Sequence, residues 1–80
     1  MRVVGEIPHE ACKITIFAWN NKYLIKLERG AIEQTFKVPE MDVTGDDDIR
    51  QLLQGAFMKK AISRFEEMEA SLIEAMEKLY

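Results

Sequence analysis

The apolar residues of this chain change period once, and that change limits the fold more than any other feature. From Cys12 to Val38 apolar and polar residues largely alternate, and after Thr44 apolar residues recur every three or four positions. A period of two belongs to a strand with one buried face, and a period near 3.6 belongs to an amphipathic helix. The order is therefore sheet first, then helix. With 80 residues there is room for one domain, spanning 1–80.

Three strands are expected: Cys12–Trp19, Lys22–Arg29 and Ala31–Val38. Each is rich in β-branched or aromatic residues. Asn20-Asn21 and Gly30 supply turns able to reach positive φ, and Pro39 ends the last run. An antiparallel meander over residues 12–38 follows. An Asn20-Asn21 loop sets Trp19 opposite Lys22, Phe17 opposite Leu24 and Lys13 opposite Glu28. An Arg29-Gly30 loop sets Leu27 opposite Ile32 and Lys26 opposite Glu33. The inner face then carries Cys12, Ile14, Ile16, Ala18, Tyr23, Ile25, Leu27, Ile32, Phe36 and Val38, interrupted by Arg29 and Gln34. In residues 1–11, Val3, Val4 and Ile7 suggest a short extra strand, but Gly5 and Pro8 argue against a long one.

The second half reads as helix over 46–79. Thr44-Gly-Asp-Asp47 has capping-box spacing, and Asp46, Asp47 and Asp48 suit the positive end of a helix dipole. One unbroken helix of this length would reach about 50 Å, whereas an eight-residue strand spans about 27 Å. The phase of the apolar stripe also turns by roughly 120° just after Gly55, when ideal drift is about 20° per heptad. Either the helix breaks near Gly55 or one helix shows two faces to two neighbours. The first stripe, Ile49, Leu52, Leu53, Ala56 and Phe57, is assigned to the sheet. The second, Met58, Ala61, Phe65, Met68, Leu72, Ala75 and Leu79, has nearly a/d spacing and suits another helix.

Size makes that second stripe important. So short a chain buries a modest share of its surface, and small domains often lean on disulfides, metals or association. A single cysteine excludes an internal disulfide. The expectation is a homodimer with residues 58–80 as its seam, a fold-back of the stripe onto the same sheet being the alternative. Charge order favours antiparallel helices, since Lys59, Lys60 and Arg64 precede Glu66, Glu67, Glu69 and Glu74. A crossing near residue 66 or 67 would set Arg64 level with Glu69 and Lys59 with Glu74.

Little in the chain suggests catalysis. His9 and Cys12 have metal-ligand spacing, but a structural zinc site takes four ligands and the chain has no second His or Cys. The acidic run at 42–48 does not follow the calcium-loop pattern. Nucleophile, base and orienter do not assemble, and the four glycines stand alone. No cofactor and no metal site are expected, and an enzyme is not. The chain also lacks the apolar run of a membrane span or an export signal, so a soluble, cytoplasmic protein is expected.

The outer sheet face offers one other function. Phe17, Trp19 and Leu24 are interleaved there with Lys13, Lys22, Lys26 and Lys37. Aromatic platforms beside lysines can hold single-stranded nucleic acid. Glu28 and Glu33 share that face, and the net charge is −3. The basic excess lies in residues 1–38 and the acidic excess in 39–80. The leading expectation is thus a non-enzymatic α+β module that interacts through protein contacts as a homodimer, and a small nucleic-acid-binding protein comes second.

Overall fold

A computed structural model of the chain describes residues 1–79 as an antiparallel sheet of four strands packed on two helices. The strands are β1 (Arg2–Ile7), β2 (Lys13–Trp19), β3 (Lys22–Arg29) and β4 (Ile32–Pro39), in the order β1-β2-β3-β4. A 3-10 turn over Glu40–Asp42 leads to α1 (Asp46–Leu52) and then α2 (Gly55–Glu77).

The meander has four strands, not three. β1 pairs with β2 along its length, and Pro8 falls just beyond its last residue, where a missing N–H costs no ladder bond. Gly5 does not end the strand. It follows a register shift between Val3 and Gly5. A Cβ at Gly5 would lie 3.2 Å from the Arg50 guanidinium, so the bare backbone makes room for that side chain. β1 is an edge strand, where a bulge and a flanking proline are tolerated.

The first hairpin has the expected register. Asn20 and Asn21 both adopt positive φ, and Trp19 faces Lys22, Phe17 faces Leu24 and Lys13 faces Glu28. The β3–β4 register differs from expectation by two residues. Its loop is Gly30-Ala31, so Arg29 faces Ile32, Leu27 faces Gln34 and Lys26 faces Thr35. Gly30, at φ 58°, takes the first loop position rather than the second. A shift of two preserves both faces, which is why alternation alone could not choose between the registers. Glu28 now lies opposite Glu33, and Lys26 reaches Glu33 diagonally at 3.7 Å.

The helical half breaks where the stripe turns. α1 ends at Leu52, and Gly55 resumes the helix at φ 56°. The cap of α1 also differs from expectation. Asp48, not Asp47, turns back and accepts hydrogen bonds from the Thr44 backbone N–H and hydroxyl, each at 2.8 Å. These bonds hold the Asp48 carboxyl below the usual range. The Tyr23 hydroxyl donates to Asp46 at 2.7 Å and ties α1 to β3.

Both helices cover the inner face. Ile14, Ile16, Ile25, Leu27, Ile49 and Phe65 are the largest fully buried side chains. Phe36 and Phe57 meet edge to face, with centroids 5.1 Å apart. Leu53 is buried as assigned, while Ala56, assigned to the same stripe, is exposed because the break at Gly55 turns it outward. The two polar interruptions of the inner face become the docking contacts of α2. Gln34 donates to the Ala61 carbonyl at 2.9 Å and accepts from Arg64 at 3.1 Å, and Arg29 pairs with Glu69 at 3.0 Å.

Candidate association surface

Met58, Ala61, Phe65, Met68, Leu72 and Ala75 lie on one face of α2, with Leu79 in the turn just past its end, and the stripe has two fates. Met58, Ala61 and Phe65 are buried against the chain's own sheet, Ala61 and Phe65 completely. Met68 is partly buried at the sheet's end. These four belong to the fold-back arrangement, and the first three leave no surface for a partner. A helix crossing at residue 66 or 67 has no free stripe to use. Arg64 and Glu69, placed across such a crossing, instead have intrachain partners in Gln34 and Arg29.

The rest of the stripe is uncovered. Every residue from Ala70 to Leu79 is exposed. The helical part of that stretch, Ala70–Glu77, extends about 12 Å past the last sheet contact (1.5 Å per residue). Leu72 is 39% exposed, Ile73 56%, Met76 45% and Leu79 76%. Scattered exposed apolar side chains are ordinary, whereas apolar side chains clustered in one contiguous patch point to an interaction surface as the patch grows beyond a few hundred Å². Ile73 and Met76 were not in the expected seam. Their signal is the density of apolar residues in 70–79, which a strict a/d count passes over.

Beside the overhang, α2 and the start of β4 enclose a shallow groove of about 760 Å³. Ala31, Ile32, Met68 and Leu72 form its apolar walls, with Arg64 and Glu67 at the rim. It lies where the sheet stops and the helix continues.

The outer sheet face is covered by no helix. Val3, Phe17, Leu24 and Lys37 form a row across the four strands, and Glu6, Thr15, Lys26 and Thr35 form the next. β1 extends this face and does not cover it. Trp19 is 48% exposed, and the Lys22 ammonium sits 5.4 Å from its ring centroid. Lys13 pairs with Glu6 at 3.9 Å and Lys26 with Glu33. Among the described residues, Lys22 and Lys37 are the lysines of this face outside any ion pair.

His9 and Cys12 both line a shallow pocket at the β1–β2 turn, beside Arg29 and Gly30. The Ala11 N–H donates to His9 Nδ1 at 3.0 Å, which closes the β1–β2 turn. Cys12 is a buried free thiol whose pKa is raised by burial and partly offset by Arg29. Among the described residues no three His, Cys, Asp or Glu side chains come together as metal ligands, and no helix is long and apolar enough to cross a membrane. No family model matches this chain, and no curated protein or solved structure shows significant similarity to it.

Proposed function

We propose that this protein is a non-enzymatic interaction module that works as a homodimer through the exposed end of α2, in the cytoplasm. The observation that supports the reading is the exposed run of Leu72, Ile73 and Met76 on the end of α2, continued by Leu79 in the turn that follows. Isolated helical turns are marginal in water, because packing of an apolar face supplies most helix stability. An overhang with such a face suits a partner helix. A second copy is the simplest partner, since it brings the same face by two-fold symmetry. A buried free thiol accords with a reducing compartment.

Leu72→Glu and Met76→Glu test the reading. Each places a charge in the contact, at a cost of several kcal/mol of association if the site is desolvated. Both positions are exposed in the monomer, so the fold itself should survive. Light scattering on a sizing column should show wild-type dimer and variant monomer. Equal masses for wild type and both variants would oppose the proposal.

A second reading places single-stranded nucleic acid on the outer sheet face, favoured by the exposed Trp19 beneath Lys22. It ranks lower because two of the four lysines there are engaged by glutamates. Titration of oligonucleotide at low salt, followed by Trp19 fluorescence, decides it. Binding should quench the signal and weaken as salt rises. An unchanged signal removes this reading.

A further inference from the structure

On the homodimer reading, the placement of α2 also limits how two copies can meet. Residues 58–68 of the stripe pack on their own sheet, and from residue 70 onward the side chains are exposed, with Leu72 at the edge of the groove beside Ala31 and Ile32. A partner helix packed on the overhang, at the usual 8–10 Å between axes, enters the same layer as that sheet. If it ran parallel, its own early turns would collide with the β3–β4 end of the first copy. If it runs antiparallel, its early turns and its sheet are carried away from that end of the first copy. The crossing must also fall near the middle of the overhang, close to Glu74 and not near residue 66.

An antiparallel crossing at Glu74 sets Leu72 level with the partner's Met76, and Glu69 level with the partner's Leu79. The partner's Leu79 therefore arrives between Met68 and Leu72, at the groove beside Ala31 and Ile32. Charge agrees with this placement. Lys78 and Glu67 lie on the same flank of the helix, within about 20° at 100° per residue. In an antiparallel pair like flanks meet, so each Lys78 comes within a turn of the partner's Glu67. The overhang alone offers four exposed large apolar side chains per copy, against about 20–30 residues a side in a standard interface. Filling both grooves enlarges the contact in the direction a stable dimer needs.

We propose that the groove between α2 and the β3–β4 turn receives the C-terminal end of α2 from a second, antiparallel copy of this chain. The partner's Leu79 seats among Ala31, Ile32, Met68 and Leu72, and the partner's Lys78 lies beside Glu67. The arrangement is reciprocal, so each copy both fills and offers a groove.

Disulfide trapping between full-length chains tests this. Ala31→Cys and Leu79→Cys are made separately on a Cys12→Ala background and mixed under mild oxidation. A 31–79 cross-linked heterodimer should dominate over 31–31 and 79–79 products, as read by mass spectrometry. Charge exchange is the second measurement. Glu67→Lys and Lys78→Glu should each weaken the dimer a few-fold, and the two together should restore it. A protein that dimerises without the 31–79 product and without charge rescue overturns this geometry and leaves the homodimer standing. A chain that is monomeric at high micromolar concentration overturns both.

Discussion

Gly55→Ala separates the broken helix from a continuous one by the sign of its effect. In the middle of an exposed helix, replacing glycine with alanine stabilises by about 1 kcal/mol. Gly55 instead has φ 56°, where a Cβ costs an L-residue roughly 1–2 kcal/mol. No heavy atom lies within 4 Å of where that Cβ would stand, so the penalty is backbone strain and not collision. Alanine also restricts the unfolded chain, which returns about 0.4–1 kcal/mol. Strain outweighs that term, and the net result is a loss of up to about 1.5 kcal/mol. For a domain of this size each kcal/mol lowers Tm by about 4–8 °C. Urea denaturation of wild type, Gly55→Ala and Gly55→Asn measures it. Asparagine tolerates positive φ better than alanine, so its loss should be the smaller of the two. A Gly55→Ala protein more stable than wild type would refute the break and the redirected stripe together.

Other perturbations probe the contacts that seat α2. Phe65→Ala should cost about 3–5 kcal/mol by leaving a cavity under the helix, a large part of the stability of so small a domain; chemical denaturation measures the loss. Gln34→Ala removes both polar ties to Ala61 and Arg64 and should cost about 1 kcal/mol, while Thr35→Ala on the outer face should cost less in the same assay. The lowered Asp48 pKa contributes stability that is present above the unfolded value and lost as pH falls through the folded one, so Asp48→Asn should flatten the acid limb of a stability–pH profile. The Tyr23 pKa is raised, chiefly by its hydrogen bond to Asp46, so its contribution is present below the unfolded value near 10 and lost as pH rises through the folded one. Tyr23→Phe should remove that alkaline loss, read by the same titration.

Alternation and period carried most of the fold because they report directly on burial. The inner faces of β2 and β3, the Asn20-Asn21 hairpin and the turn of the stripe at Gly55 were all legible in that way. β1 was not, because a short edge strand needs few apolar residues and tolerates the bulge and proline that argue against a central one. The β3–β4 register was not, because a two-residue slip changes no face. The division of the α2 stripe was also hidden. Phe65 and Leu79 have the same character and phase, and only the length of the sheet determines which one it reaches. Arg29 and Gln34 looked like flaws in an apolar face, but each contacts a specific group on α2.

Hydrogen exchange across α2 at several protein concentrations tests the central claim most directly. In the monomer, Ala70–Glu77 has helical hydrogen bonds without tertiary cover, so its amides should exchange far faster than those around Phe65. If this overhang is where two copies meet, raising the concentration should slow exchange there, while exchange in β1 stays unchanged. Protection over 70–77 that does not change with concentration, in a protein of constant monomeric mass, would contradict the account.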